Sequence, residues 1–123
     1  MRKWLTVSVL AALAGCQTAP QIEEKALVAL GTEPFWSVEI APGELTYATP
    51  EQLLGTSILA ARAADAHGIT WTGTLDGRAL ALRVEPGRCS DGMSDKVYPY
   101  TASLRLGAEV RRGCARSGPP SGH

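Results

Sequence analysis

The sequence predicts an all-β domain, a small antiparallel meander barrel of roughly seven or eight short strands. Apolar residues recur at every second position along four separate runs, the period of a strand buried on one face. Turn residues punctuate those runs, and Asp76-Gly77 is a two-residue hairpin signal because both positions tolerate positive φ. A sheet of that length, apolar on one face, hides its edges most simply by closing on itself.

Taken in order, residues 26–30 read as a strand or as a short apolar lead-in. Trp36, Val38 and Ile40 then alternate with Ser37 and Glu39. Residues 52–66 are rich in Ala and Leu, which admits a helix. Ile58, Ala60 and the Thr56-Ser57 start also fit a strand that pairs with residues 69–75 across His67-Gly68, and the strand is favoured. Ile69, Trp71 and Leu75 alternate with Thr70, Thr72 and Thr74, and Leu80, Leu82 and Val84 alternate with small or charged residues. Tyr98, Tyr100, Ala102, Leu104 and Leu106 form the last row. Ala41-Pro42-Gly43, His67-Gly68, Pro86-Gly87 and Gly107 supply the other turns.

The chain begins with a basic pair, Arg2 and Lys3, and a nine-residue apolar stretch from residue 4 to residue 12 broken by Thr6 and Ser8. That stretch is too short for a membrane span, which needs about 20 residues, and suits a secretory signal. Leu13-Ala14-Gly15-Cys16 resembles a bacterial lipobox. The resemblance implies a lipoprotein signal peptide over residues 1–15, with diacylglycerol on the Cys16 thiol and an acyl chain on its new amine. No other cofactor is expected. The rival is an ordinary signal peptide with an incidental Cys. Residues 16–25 are then a tether, residues 26–115 the barrel-like domain and residues 116–123 a disordered tail. Gln17 stands where the inner-membrane retention rule for related lipoproteins calls for Asp, so the expected address is the outer membrane, facing the periplasm.

Removing 15 of the 123 residues leaves 108, one small domain. Of the 12 Lys and Arg, Arg2 and Lys3 leave with the signal, so ten face 12 Asp and Glu and the net charge is near −2. No basic field remains to neutralise phosphates, which argues against a nucleic-acid partner, and anchoring falls to the acyl chains. Cys89 and Cys114, an even pair in an exported chain, are expected to form a disulfide. Neither has a second Cys or a His at ligand spacing, so no metal is expected. Catalysis is not expected either: there are two His, His67 in a turn and His123 in the tail, and no G-x-S-x-G, phosphate-cradling loop or H-E-x-x-H.

Two clusters remain as candidate binding surfaces. In Gly31-Thr32-Glu33-Pro34-Phe35-Trp36 the proline fixes its own φ and pushes Glu33 extended. Phe35 and Trp36 are adjacent and so face opposite sides of their strand. Trp36 continues the inward row, leaving Phe35 and Glu33 either to recognise a partner or to plug one barrel end, with Glu33 capping amides. The second cluster runs Cys89-Ser90-Asp91-Gly92-Met93-Ser94-Asp95 and leads into Tyr98-Pro99-Tyr100. Asp91 and Asp95 lack the 1-3-5 spacing and the Glu of a calcium loop. They read as a carboxylate pair or as a solvated turn with Asx caps, and Met93 lies between them.

Together these clusters resemble a family of functionally uncharacterised bacterial envelope lipoproteins. Their shared pattern is roughly G-N-E-P-F-W early and C-x-D-x-M-S with Y-P late, ending in a Gly-Cys pair like Gly113-Cys114. Here Thr32 stands where Asn is usual, and the similarity covers nearly all of the folded unit. It implies a lipid-anchored β domain whose relatives sometimes accompany other small envelope modules, lysozyme-inhibitor-like ones among them. The expected role is a non-catalytic, monomeric domain that binds or supports an envelope or peptidoglycan-related partner. The alternatives are an inhibitor of a peptidoglycan-cleaving enzyme and a small-ligand carrier. The carrier is disfavoured, because Trp36, Trp71, Tyr98 and Leu104 would fill a barrel of this size.

Overall fold

A strand that is apolar on one side must cover that side, and this chain covers it by curling its own sheet. The computed structural model describes residues 22, 26–92 and 95–118. The signal, Cys16, Met93 and residues 119–123 lie outside the described residues.

Nine antiparallel strands run β1 (Leu27–Thr32), β2 (Phe35–Ala41), β3 (Glu44–Thr49), β4 (Gln52–Leu59), β5 (Ala61–Ala64), β6 (Ile69–Leu75), β7 (Arg78–Ser90), β8 (Val97–Leu106) and β9 (Glu109–Ser117). Their order in the sheet is β4-β3-β2-β1-β9-β8-β7-β6-β5, so the first and last strands pair and the sheet is a nearly closed barrel. The expected architecture holds, with a slightly higher strand count. The extra strand arises at Ala60, where one extended run changes partner. Residues before it pair with β3 and residues after it with β6, and the Ala60 amide donates to the Gly43 carbonyl at 3.0 Å. Residues 52–59 and 61–64 are therefore strand, as favoured, and residues 27–32 are a strand rather than a lead-in.

β9 also runs two residues past the expected domain boundary. Arg116 and Ser117 pair with Val28 and Leu27, and the Gly118 amide donates to the Ala26 carbonyl at 2.9 Å. The expected tail had these residues disordered. They are ordered because β1 offers them a ladder.

The inward rows read from the sequence are the core. Trp36, Val38 and Ile40, the Ile69-Trp71-Leu75 row, the Leu80-Leu82-Val84 row and Tyr100 to Leu106 at alternate positions are all buried in one cluster. Each large apolar side chain fully buried there stabilises by about 1.5–3 kcal/mol. Tyr98 is buried as well.

Two glycines set how closely the closing strands approach. A Cβ at Gly31 would clash with the Trp36 indole, which lies across it, and a Cβ at Gly113 would clash with the Leu30 carbonyl of β1. The Trp36 indole N–H has no hydrogen-bond partner among the described residues.

Cys89 and Cys114 form the expected disulfide, with Cα atoms 5.6 Å apart. They sit on β7 and β9, which are separated in the sheet by β8. Neighbouring strands alone are about 4.8 Å apart, so two strands apart is too far to bridge. The irregularity between Pro86 and Cys89 bends the end of β7 over β8 toward β9, and the bridge pins it there. The Cys89 sulfur lies 3.3 Å from the Gly113 carbonyl oxygen.

Candidate functional site

Four tight turns, at residues 33–34, 50–51, 76–77 and 107–108, gather at one end of the barrel. At that end the closure is incomplete. β5 pairs with β6 only as far as Ala61↔Thr72. Beyond it β4 meets β6 near Gly73, where a Cβ would stand 2.6 Å from the Leu59 carbonyl oxygen. The strands then diverge, and a mouth of about 390 Å³ opens between β4 and the β6–β7 turn.

The floor of this mouth is built by strand parity. Arg111 pairs with the inward Leu104 and Tyr47 with the inward Val38, so both side chains enter the barrel from its open end. Arg111 Nη1 donates to Tyr47 Oη at 2.8 Å, and Nη2 donates to Glu109 Oε2 at 3.3 Å. Arg111 is 19% exposed, well covered for a guanidinium. Arg78 approaches the same Glu109 carboxylate from β7 at 4.0 Å. Along the β4 side, Gln52 Nε2 donates to Thr56 Oγ1 at 3.2 Å.

The lip is apolar. Phe35 is 58% exposed and lines both the mouth and an adjoining depression of about 320 Å³ shared with Ala48, Pro50 and Leu53. Between Tyr47↔Thr56 and Thr49↔Gln52 the β3–β4 register shifts, leaving three β4 residues opposite Ala48. This bulge turns on Gly55, at φ 79° with no room for a Cβ. It throws out Leu53 and Leu54, 81% and 96% exposed. A bulge of this kind also blunts the free edge of β4 against indiscriminate pairing.

Elsewhere the two sequence clusters meet. Gly31 and Thr32 of the first and Cys89, Ser90 and Asp91 of the second line one outer cavity of about 220 Å³, together with Arg112 and Gly113. The structure does not gather all of the expected binding residues there. Glu33 is exposed in the β1–β2 turn, Phe35 belongs to the mouth, and Asp95 is exposed on the β7–β8 connection. Phe35 stands too far out to plug the barrel, and the inward Trp36 fills that space. In the β7–β8 connection, Ser90 Oγ accepts from the Gly92 amide at 3.1 Å.

A charged network that the sequence reading missed staples the opposite end. Arg83 Nη1 and Nη2 donate to the two Asp65 carboxylate oxygens at 3.0 and 3.1 Å, and Nε donates to Glu85 at 2.7 Å. Asp65 Oδ1 also accepts the His67 and Gly68 amides at 2.7 and 3.0 Å, shaping the β5–β6 turn. Hydrogen bonds from Arg83, then from the His67 amide, hold the Asp65 carboxyl well below the usual carboxylate range. Arg83 Nη1 further reaches Thr70 Oγ1 at 2.9 Å. The work of this network is to join β5, β6 and β7.

The mouth residues Tyr47, Arg78 and Arg111 were missed too. Arg111 could have been found by counting outward through the Gly107 turn, which sets it opposite Leu104 on the inward side. Among the described residues no group of three or more His, Cys, Asp or Glu is placed to hold a metal. Comparison with protein-family models, with curated proteins and with solved structures returns no match.

Proposed function

We propose that this chain is a lipid-anchored domain of the bacterial cell envelope that binds another envelope component without catalysing a reaction. The mouth carries this reading: an inward-turned arginine, held by a tyrosine, faces an open cleft lined by exposed Phe35, with exposed Leu53 in the adjoining depression. Exposed apolar side chains grouped beside fixed polar ones are the composition of a recognition surface. The packed interior supports a site on the rim rather than a ligand carried inside.

Attachment through acylated Cys16, outer-membrane delivery and a periplasmic position belong to the same proposal and rest on the lipobox resemblance. Inhibition of a peptidoglycan-cleaving enzyme is the narrower form of it, with either the loop from Asp91 to Asp95 or exposed Glu33 at the β1–β2 turn, next to Pro34 of the mouth, entering the enzyme's cleft.

Crosslinking pull-down from intact envelopes, with the full chain and with Leu53→Ser and Phe35→Ala chains, tests the reading. A partner recovered with the parent chain and lost with the variants is expected. Equal recovery with all three would refute it. Cys16→Ser should release the protein from membranes, and continued attachment would contradict the anchor.

A further inference from the structure

The mouth also specifies what kind of molecule fits it. Its charges are mixed: Arg78 and Arg111 stand against Glu109, with Glu51 and Asp76 on the lining. An anion site needs a surplus of positive charge, and this one has none. An apolar ligand needs a lining without so many donors and acceptors. What remains is a neutral molecule that both donates and accepts hydrogen bonds and still has an apolar face.

The available groups fit that description. Arg111 uses two of its five N–H donors on Tyr47 and Glu109. Arg78 lies 4.0 Å from the Glu109 carboxylate, beyond hydrogen-bond distance. Gln52 and Thr56 are already aligned with each other. Phe35 offers an exposed ring at the lip, and a volume of about 390 Å³ is at the small end of ligand clefts.

We infer that the barrel mouth is a saccharide-binding site, taking one or two pyranose units of a glycan chain. Arg78, Arg111 and Gln52 bond the hydroxyl and amide groups, and Phe35 packs on a sugar C–H face. The mouth opens at a gap in the sheet, so a glycan chain can pass along the lip without entering the core. This inference rests on the binding-domain reading above and names the ligand of that same site.

The test is calorimetric titration of the detergent-solubilised full chain with tetra-N-acetylchitotetraose, with maltotetraose alongside. Saturable binding of at least one is expected. Phe35→Ala, a change at a mostly exposed side chain, should weaken it about tenfold, equivalent to about 1.4 kcal/mol, and Arg78→Met should weaken it similarly. No saturation at 10 mM of either sugar would overturn the inference. So would binding that neither variant weakens, or recovery of a peptide rather than a sugar from this site. If sugars fail while the envelope pull-down still depends on Phe35, the saccharide falls and the binding domain stands. If both fail, neither reading survives.

Discussion

Replacing Cys89 and Cys114 together with alanine should lower the unfolding free energy by about 3.5 kcal/mol. The two positions are 25 residues apart, and the chain-entropy relation gives about 12 cal/mol/K for closing such a loop in the unfolded ensemble, or about 3.5 kcal/mol at 25 °C. A domain of this size has roughly 5–15 kcal/mol in all, so the bridge supplies a quarter or more. In the folded state the same change frees the bent end of β7 from β9, while the β7–β8 and β8–β9 ladders remain. The double variant should therefore still fold. Urea unfolding followed by the fluorescence of Trp36 and Trp71, both buried, reads the effect directly. With a slope near 1.5 kcal/mol/M, the midpoint should fall by about 2 M. A shift below about 0.5 M at unchanged slope would mean that the bridge constrains nothing that unfolding releases.

Gly31→Ala drives a methyl into the Trp36 indole and should cost about 1–3 kcal/mol, measurable by the same urea titration; an unchanged midpoint would contradict the close approach. Leu82→Ala, in the centre of β7 and fully buried, should cost about 2–5 kcal/mol, and a loss below 1 kcal/mol would mean the core is looser than described. Arg83 holds the Asp65 carboxyl low, so its contribution is complete above the unfolded value of about 4 and is lost as pH falls through the native one. The stability gap between parent and Asp65→Asn should accordingly be present at pH 6 and narrow below pH 4; a gap that does not change with pH would remove the carboxylate from the account. The full chain added in micromolar excess to a lysozyme should slow its turnover if the inhibitor form of the proposal holds, and unchanged turnover would dismiss that form.

Much of the barrel could be read from the sequence because inward and outward rows differ in polarity along β2, β6, β7 and β8. β9 shows why the rest was harder. Its inward row is Glu109, Arg111, Gly113 and Ala115, a charged and small-residue series with no apolar alternation. It belongs inside because Gly113 makes room for the β1 backbone and because Arg111 emerges at the open mouth. The break at Ala60 was hidden for a different reason: a change of pairing partner leaves no mark on local composition.

The site was less legible than the fold. Phe35 was singled out from its position beside Trp36, and the structure sets it on the lip of the mouth. Arg78, Arg111, Tyr47 and Gln52 come from four strands spread across the chain, and only sheet register brings them together. Of the two candidate surfaces read from the sequence, only the adjoining ends meet in one cavity. Thr32 and Asp91 share a cavity, whereas Phe35 and Asp95 do not.

Photocrosslinking in living cells decides whether the mouth and its apolar lip are where this domain meets a partner, as proposed. A benzophenone amino acid would be placed at position 35 and, separately, at position 72, exposed on the outer face of β6. A discrete crosslinked product is expected from position 35 and none from position 72. Equal products from both, or a product from position 72 alone, would contradict it.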